Sequence, residues 1–233
     1  MSIKGAIFDL DGTLLDTEPI YDAAAQKVIN EFGNGKKIEW NVKKNVIGTP
    51  AKVHSKIFVD AFEIKLSPEE FKKKRDQLLI ESFKKCKFMK GAKETTHKCK
   101  YDYHLKVGIA TSSSKLNYEN KTNHLKEWIK EDIDKVITGD DKRIKEGKPA
   151  PDIFILAANE LGLEPKECII FEDALSGITA AIKSGAKIVV AIPDPRQKED
   201  VENITYDKNV TKLIILNSMD EFDISLINKD KNL

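Results

Sequence analysis

Six short apolar runs, most of them rich in Ile and Val, punctuate the chain: Ala6 to Leu10, Val107 to Thr111, Val136 to Thr138, Cys168 to Phe171, Ile188 to Ile192 and Leu213 to Leu216. Each is the length of a strand, and their continuous apolar character is that of strands covered on both faces. Between the later runs the pattern changes period. In Pro151 to Leu161 and Ala174 to Ser184 apolar residues fall three and four apart, and a glycine, Gly162 or Gly185, follows each segment. Strands alternating with helices predict a parallel α/β sheet.

From about Pro19 to Lys87 that rhythm stops. Ile20 to Phe32 and Ser67 to Lys85 carry helical patterns and no strand is evident, so this stretch reads as a helical insertion after the first strand. Ser67-Pro68-Glu69-Glu70 is a helix start, with Ser67 as cap, proline in the first position and Glu70 three residues after the cap. The basic run Lys72-Lys73-Lys74-Arg75 that follows reads as the solvated side of that helix rather than as an anion-binding face. By contrast Gly91 to Leu105, with Thr95, Thr96, Lys98 and Lys100, is polar enough that any helix there is expected to be short or irregular.

A chain of 233 residues suits one large domain with a smaller insert. Its 39 basic and 38 acidic side chains leave a net charge of +1, so no general attraction to nucleic acid or to an anionic membrane is expected and a charged ligand must be recognised locally. No apolar run approaches the roughly 20 residues that span a bilayer, and the start of the chain lacks the features of a secretion signal. Cys86, Cys99 and Cys168 are scattered and odd in number, which suits a reducing compartment. The expectation is a soluble cytoplasmic protein. The glycosylation-like triplets at Asn203 and Asn209 are then accidental.

The chemistry gathers where strands end. Phe8-Asp9-Leu10-Asp11-Gly12-Thr13-Leu14 places two carboxylates two residues apart at the carboxyl end of the first strand, the edge where parallel sheets bind ligands. Magnesium, a hard cation that takes a couple of carboxylates plus waters and phosphate oxygens, fits such a pair. A calcium-binding EF-hand loop does not, because Thr13 and Leu14 stand where it needs an acid or amide and a glycine. An ordinary strand-ending turn explains most isolated pairs of this kind. The second strand ends in Thr111-Ser112-Ser113-Ser114, a hydroxyl-rich turn suited to phosphate, although such runs are more often plain helix caps. Lys148 lies in a loop stiffened by Pro149 and Pro151; a Walker loop is excluded by Lys142 and Pro149. Glu172 and Asp173 end another apolar strand, where Asp173 can complete a metal shell or cap the next helix. Each feature is ambiguous alone. Their coincidence on one rim points to phosphate chemistry.

Together, Asp9 to Thr13, Thr111, Lys148 and Glu172-Asp173 resemble, in order, the four motifs of the haloacid dehalogenase superfamily of phosphotransferases. The helical insert resembles the α-helical cap of one of its branches. Within that branch Trp40 to Gly48, Ile109 to Ser113, Gly139 to Asp141, Gly147 to Phe154 and Leu216 to Ser218 are most similar to the eukaryotic pseudouridine-5'-phosphatases. The resemblance implies a Rossmann-like core over residues 1–17 and 88–233 and a cap domain over 18–87. It implies Asp9 as nucleophile, Asp11 as general acid and base, and Thr111, Ser112 and Lys148 around the transferring phosphate. Magnesium would be held by Asp9, the Asp11 carbonyl and Asp173, with Glu172 at the inner or second shell. Glu18, Tyr21, Gly48 and Lys52 are the candidate specificity contacts from the cap.

An acid at position 11 favours phosphoryl transfer over dehalogenation. Tyr21 and Ala51, where related β-phosphoglucomutases carry histidine and arginine, weigh against a sugar-phosphate mutase, although Lys52 is placed to substitute for the arginine. A silent binding module on the same scaffold is disfavoured by the completeness of the four motifs. The expected partner is a small phosphorylated metabolite, bound by a monomer.

Overall fold

The computed structural model of the chain describes residues 2–47 and 51–228. Its centre is a six-stranded sheet of β1 (Gly5–Phe8), β2 (Lys106–Thr111), β3 (Lys135–Thr138), β4 (Cys168–Glu172), β5 (Ile188–Ala191) and β6 (Lys212–Ile215). The strand order is β3-β2-β1-β4-β5-β6 and every neighbouring pair is parallel. All six apolar runs are therefore strands. The direction of winding reverses at β1, which lies between β2 and β4 and opens a crevice at its carboxyl end.

Alternation along each strand sends side chains to two separate cores. Ala6, Phe8, Val107, Ile109, Phe171 and Val190 belong to one, where Phe8 stacks on Phe171 with ring centroids 4.3 Å apart. Ile7, Ala110, Ile170 and Val189 belong to the other. Both faces are covered by the helices that link the strands, which is why the strands are apolar throughout.

Helices α1 (Glu18–Phe32), α2 (Trp40–Lys43), α3 (Ala51–Ala61) and α4 (Pro68–Phe83) all lie between β1 and β2. They have their own buried cluster, in which Val28, Ile29, Phe58, Phe62 and Phe71 meet. The chain leaves and returns side by side: the Asp16 N–H donates to the Lys87 carbonyl, and the Met89 N–H to that of Leu14, both at 2.9 Å. Helix α4 starts as its sequence predicts. The Ser67 hydroxyl accepts from the Glu70 N–H while the Glu70 carboxylate accepts from the Ser67 N–H at 2.8 Å.

One reading of this helix is corrected. Lys73 is exposed, but Arg75 is only 4% exposed. It shares the face of Phe71, Leu79 and Phe83, spaced four apart, and turns inward with them.

The remaining helices are α5 (Ala92–His97), α6 (Lys115–Thr122), α7 (Lys126–Asp132), α8 (Asp152–Glu160), α9 (Leu175–Lys183), α10 (Lys198–Glu202) and α11 (Ser225–Asn228). The polar stretch before β2 is short and irregular, as its composition predicts. Helix α5 widens after His97 into a π-type turn over Lys98–Asp102, in which the Tyr103 N–H reaches back five residues to the Lys98 carbonyl.

Candidate active site

Parallel register assembles the site. Phe8 is paired with Ile109 on one side and with Phe171 on the other, so the next rung carries Asp9, Ala110 and Glu172. The Asp9 N–H still donates to the Phe171 carbonyl at 3.0 Å, which fixes Asp9 at the last ordered step of the sheet. Lys148 arrives over that rung from the loop before α8, beyond a cis Lys148–Pro149 peptide. Its Nζ donates to Asp9 Oδ1 at 2.5 Å, to Glu172 Oε1 at 2.7 Å and to the Ala110 carbonyl at 3.2 Å. All three donors of the ammonium are used, and its charge sits 4.8 Å above the Phe154 ring. A lysine 7% exposed persists only with such compensation.

The acids beside it are crowded. Burial, with Glu172 and Asp11 nearby, outweighs the pull of Lys148 and pushes the Asp9 carboxyl up to about 7. Burial, then Glu172 and Asp9, hold Asp173 well above the usual carboxylate range. Glu172 has both oxygens engaged: Oε1 by Lys148, and Oε2 by the N–H groups of Asp173 and Ala174 at 2.9 Å. It therefore anchors Lys148 and the turn into α9.

Two glycines permit this closeness. Gly12 has φ +85°, and a Cβ there would meet Asp173 Oδ2 at 2.3 Å, so the turn after β1 can lie directly on Asp173. The neighbouring Thr13 hydroxyl donates to Asp173 Oδ1 at 2.7 Å. In α9 a Cβ on Gly177 would come 1.7 Å from Glu172 Oε1. Gly177→Ala must therefore displace Glu172 and loosen Lys148. We expect a loss of about 1–3 kcal/mol, the cost of leaving buried polar groups poorly paired, together with a fall in activity. A Gly177→Ala protein that melts and turns over like the parent would refute this account of Glu172.

Asp11 points to a different set of partners. Its Oδ2 accepts from the Ser113 hydroxyl at 2.9 Å and lies 3.5 Å from the Thr111 hydroxyl, while Oδ1 pairs with Lys121. Burial pushes the Asp11 carboxyl up, but Lys121 and the surrounding hydroxyls more than offset it and leave it below the usual value. The Thr111 hydroxyl accepts from the Ser113 N–H at 3.1 Å, folding the hydroxyl-rich turn on itself. Ser112 lines the cavity, and Gly139 leaves room for it, since a Cβ there would meet the Ser112 carbonyl at 2.4 Å.

A cavity of about 490 Å³ opens between this edge and the helical segment. Glu18 and Tyr21 of α1 line it, with Lys43 joined to Glu18 at 3.1 Å and also paired with Asp22. Gly48 lies outside the described residues, and the side chain of Lys52 is likewise not described. His54 and Arg75 complete the far wall. Burial first, then Arg75, lower the His54 imidazole to about 3, so it faces the cavity neutral.

The set can also be weighed as a magnesium site. Among the described residues no three His, Cys, Asp or Glu side chains converge into a ready-made cage. Magnesium does not need one, since it binds through one or two carboxylates and keeps waters and phosphate oxygens. Asp9 and Glu172 share the ammonium of Lys148, while Asp173 beside them accepts from the Thr13 hydroxyl. Three crowded carboxyls with a single ammonium among them, two of them held above their usual range by burial and by one another, are donor chemistry a divalent cation suits.

The structure thus brings Asp9, Asp11, Thr111, Ser112, Lys148, Glu172 and Asp173 to one edge, with Glu18 and Tyr21 opposite. Sequence reasoning missed Lys121, Ser113 as the donor to Asp11, Arg75 and His54. Arg75 had a signal in its four-residue spacing from Phe71 and Leu79. Lys121 had none, because α6 is polar nearly throughout.

The sequence profile of the haloacid dehalogenase-like hydrolases matches residues 6–191. A probable pseudouridine-5'-phosphatase of Saccharomyces cerevisiae is 32% identical over 203 residues, which cover 84% of each chain. The (DL)-glycerol-3-phosphatase 2 of Arabidopsis thaliana is 34% identical over 218 residues, 91% of this chain and 88% of that one. Among solved structures, a β-phosphoglucomutase of Clostridium difficile superposes with a TM-score of 0.75 at 20% identity, over 97% of this chain and 96% of that one, a likeness of fold.

Proposed function

The chain belongs to the haloacid dehalogenase-like hydrolase family, and on that premise we propose that it is a magnesium-dependent phosphatase of small phosphorylated metabolites, working through a phosphoryl group carried on Asp9. The observation that carries this reading is the buried Lys148, whose Nζ holds Asp9 Oδ1 and Glu172 Oε1 on one rung of the sheet. It fixes a carboxylate at the open edge, beside a cavity with room for a small ester.

In this reading an Asp9 oxygen forms a bond to phosphorus as the bond to the leaving oxygen breaks, and Asp11, ionised in the free protein, takes up the proton that a phosphate monoanion brings and passes it to that oxygen. Asp11, now ionised, takes a proton from a water that attacks the phosphoryl-aspartate, releasing inorganic phosphate and restoring Asp9. Lys148, Thr111 and the Ser112 backbone face the charge that spreads over the phosphoryl oxygens. Asp9, the Asp11 carbonyl and Asp173 would hold magnesium, with Glu172 behind them through Lys148. The ion supplies neutralisation of the phosphoryl charge.

Residues 18–87 act as a cap on the core of 1–17 and 88–233, and exclude bulk water during transfer. Glu18, Tyr21, Gly48 and Lys52 are the proposed contacts that choose the substrate. The protein works as a cytoplasmic monomer. Among the described residues no helix is long and apolar enough to cross a membrane.

Pseudouridine 5'-phosphate heads the substrate panel, followed by glycerol phosphates and sugar phosphates, the chemistries named for the relatives. Phosphate release is expected with magnesium and is expected to stop when the metal is chelated. Release from no ester by the folded protein would overturn the proposal, and conversion of a sugar phosphate to its isomer without phosphate release would replace it with the mutase reading.

A further inference from the structure

Lys121 is buried completely, on the inner face of α6, a helix whose other buried residue is Thr122. Its ammonium pairs with Asp11 Oδ1 and donates to the Ser113 hydroxyl at 2.7 Å, and Ser113 in turn donates to Asp11 Oδ2 at 2.9 Å. Lysine, serine and aspartate form a closed triangle that fixes both carboxylate oxygens. The other side of the ammonium faces the helical segment. It lies 5.1 Å from the centre of the Tyr21 ring and 4.9 Å from that of Phe83. Those two rings meet edge to face at 5.5 Å, and the Arg75 guanidinium lies 5.7 Å from the centre of the Tyr21 ring. Lys121 therefore sits in a box with one wall from the core and the other from α1 and α4.

We propose that Lys121 is the positioning residue for Asp11, and that it makes the placement of this carboxylate depend on how α1 and α4 are seated on the core. Burial of an ammonium is costly unless it is paired and hydrogen-bonded, and a surface lysine would serve packing equally well. Here the charged end is buried against one carboxylate, and that carboxylate is not the one held by Lys148. The two lysines divide the two acids between them: Lys148 fixes Asp9 on the sheet, and Lys121 fixes Asp11 at the junction with the helical segment. Tyr21 thus has a second task beside lining the cavity: its ring is a wall of the box that holds Lys121, and its hydroxyl interacts with the Lys121 ammonium, the contact that Tyr21→Phe removes.

The inference rests on the reading of Asp11 as general acid and base. An effect transmitted through Asp11 depends on the leaving group, because an alkoxide needs a proton and a nitrophenolate does not. Lys121→Met, Lys121→Arg, Tyr21→Phe and Asp11→Asn, alone and with Lys121→Met, are compared on an alkyl phosphate in steady state. The same variants are compared on 4-nitrophenyl phosphate in the burst of nitrophenolate.

Lys121→Met is expected to lower kcat for the alkyl ester about a hundredfold, the lower end of what general acid–base catalysis contributes, with KM nearly unchanged and the nitrophenolate burst largely kept. Lys121→Arg is expected to restore part of the rate. In the Asp11→Asn background Lys121→Met should cost little more, since residues acting as one unit are not additive. Equal losses on both esters, or full additivity with Asp11→Asn, would make Lys121 a structural residue and overturn the inference. If Lys121→Met does not fold, Lys121→Arg and Tyr21→Phe decide it by the same leaving-group dependence. An Asp11→Asn protein that hydrolyses alkyl esters normally would instead refute the reading of Asp11 itself.

Discussion

Asp9→Asn is expected to reduce turnover by at least on the order of a thousandfold, the scale on which removal of a nucleophile acts, while the protein remains folded. The substitution keeps the shape of the side chain and an oxygen for Lys148, which otherwise lies 2.5 Å from Asp9 Oδ1. It also removes a charge the fold disfavours. The Asp9 carboxyl is raised from 3.8 to about 7, burial being the first cause, so ionising it in the native state costs stability that the unfolded chain does not lose. That penalty is absent below about pH 4, grows between there and about pH 7, and is fully present above. With the metal chelated, Asp9→Asn should therefore melt with or above the parent at pH 8 and lose that advantage near pH 4. Thermal melts across pH, paired with phosphate release, check both halves. A variant that turns over normally would end the covalent reading.

Lys148→Met is expected to damage both activity and stability. It strands Asp9 and Glu172 without their shared cation and removes a donor from the Ala110 carbonyl. Breaking a buried ion pair from one side costs about 3–5 kcal/mol, and loss of one donor to a phosphoryl transition state costs about a hundredfold to a thousandfold in kcat. Denaturant unfolding and steady-state kinetics on the same preparation measure the two. Adding Glu172→Gln to this variant should recover stability, because one stranded charge is gone, but not rate. Recovery of rate would mean that Lys148 serves only to neutralise Glu172.

The sheet was legible in the sequence because its physics is local and repetitive. Strands buried on both faces must be apolar along their whole length, and Ile169-Ile170-Phe171 or Ile188-Val189-Val190 can hardly be anything else. The rim was legible for the complementary reason: Asp9, Thr111, Glu172 and Asp173 break those apolar runs at the same end. What escaped depends on partners distant in the chain. Nothing within Lys115 to Thr122 marks Lys121, since a lysine becomes an interior residue only when a carboxylate a hundred residues away is folded against it. Arg75 stood in a run of four cations that reads as solvated, and only its alignment with Phe71, Leu79 and Phe83 separates it from Lys73. The roles of Thr111 and Ser113 around Asp11 were hidden because a run of hydroxyls does not reveal which of them faces inward.

Placing the first strand at the middle of the sheet has a consequence for how the molecule is made. Gly5 is registered with Lys106 on one side and Cys168 on the other. During synthesis the apolar segment Ala6 to Leu10 thus emerges before either partner strand and waits unpaired while the helical residues are added, its second neighbour arriving only with Cys168–Glu172. The helices between β1 and β2 make many of their contacts with one another and can condense early, whereas the sheet must close long loops before any strand pair forms. Acquisition of the native state should be slow relative to a helical protein of this length. The interval in which the strand that leads into Asp9 is exposed is the one most open to aggregation or to a holding chaperone.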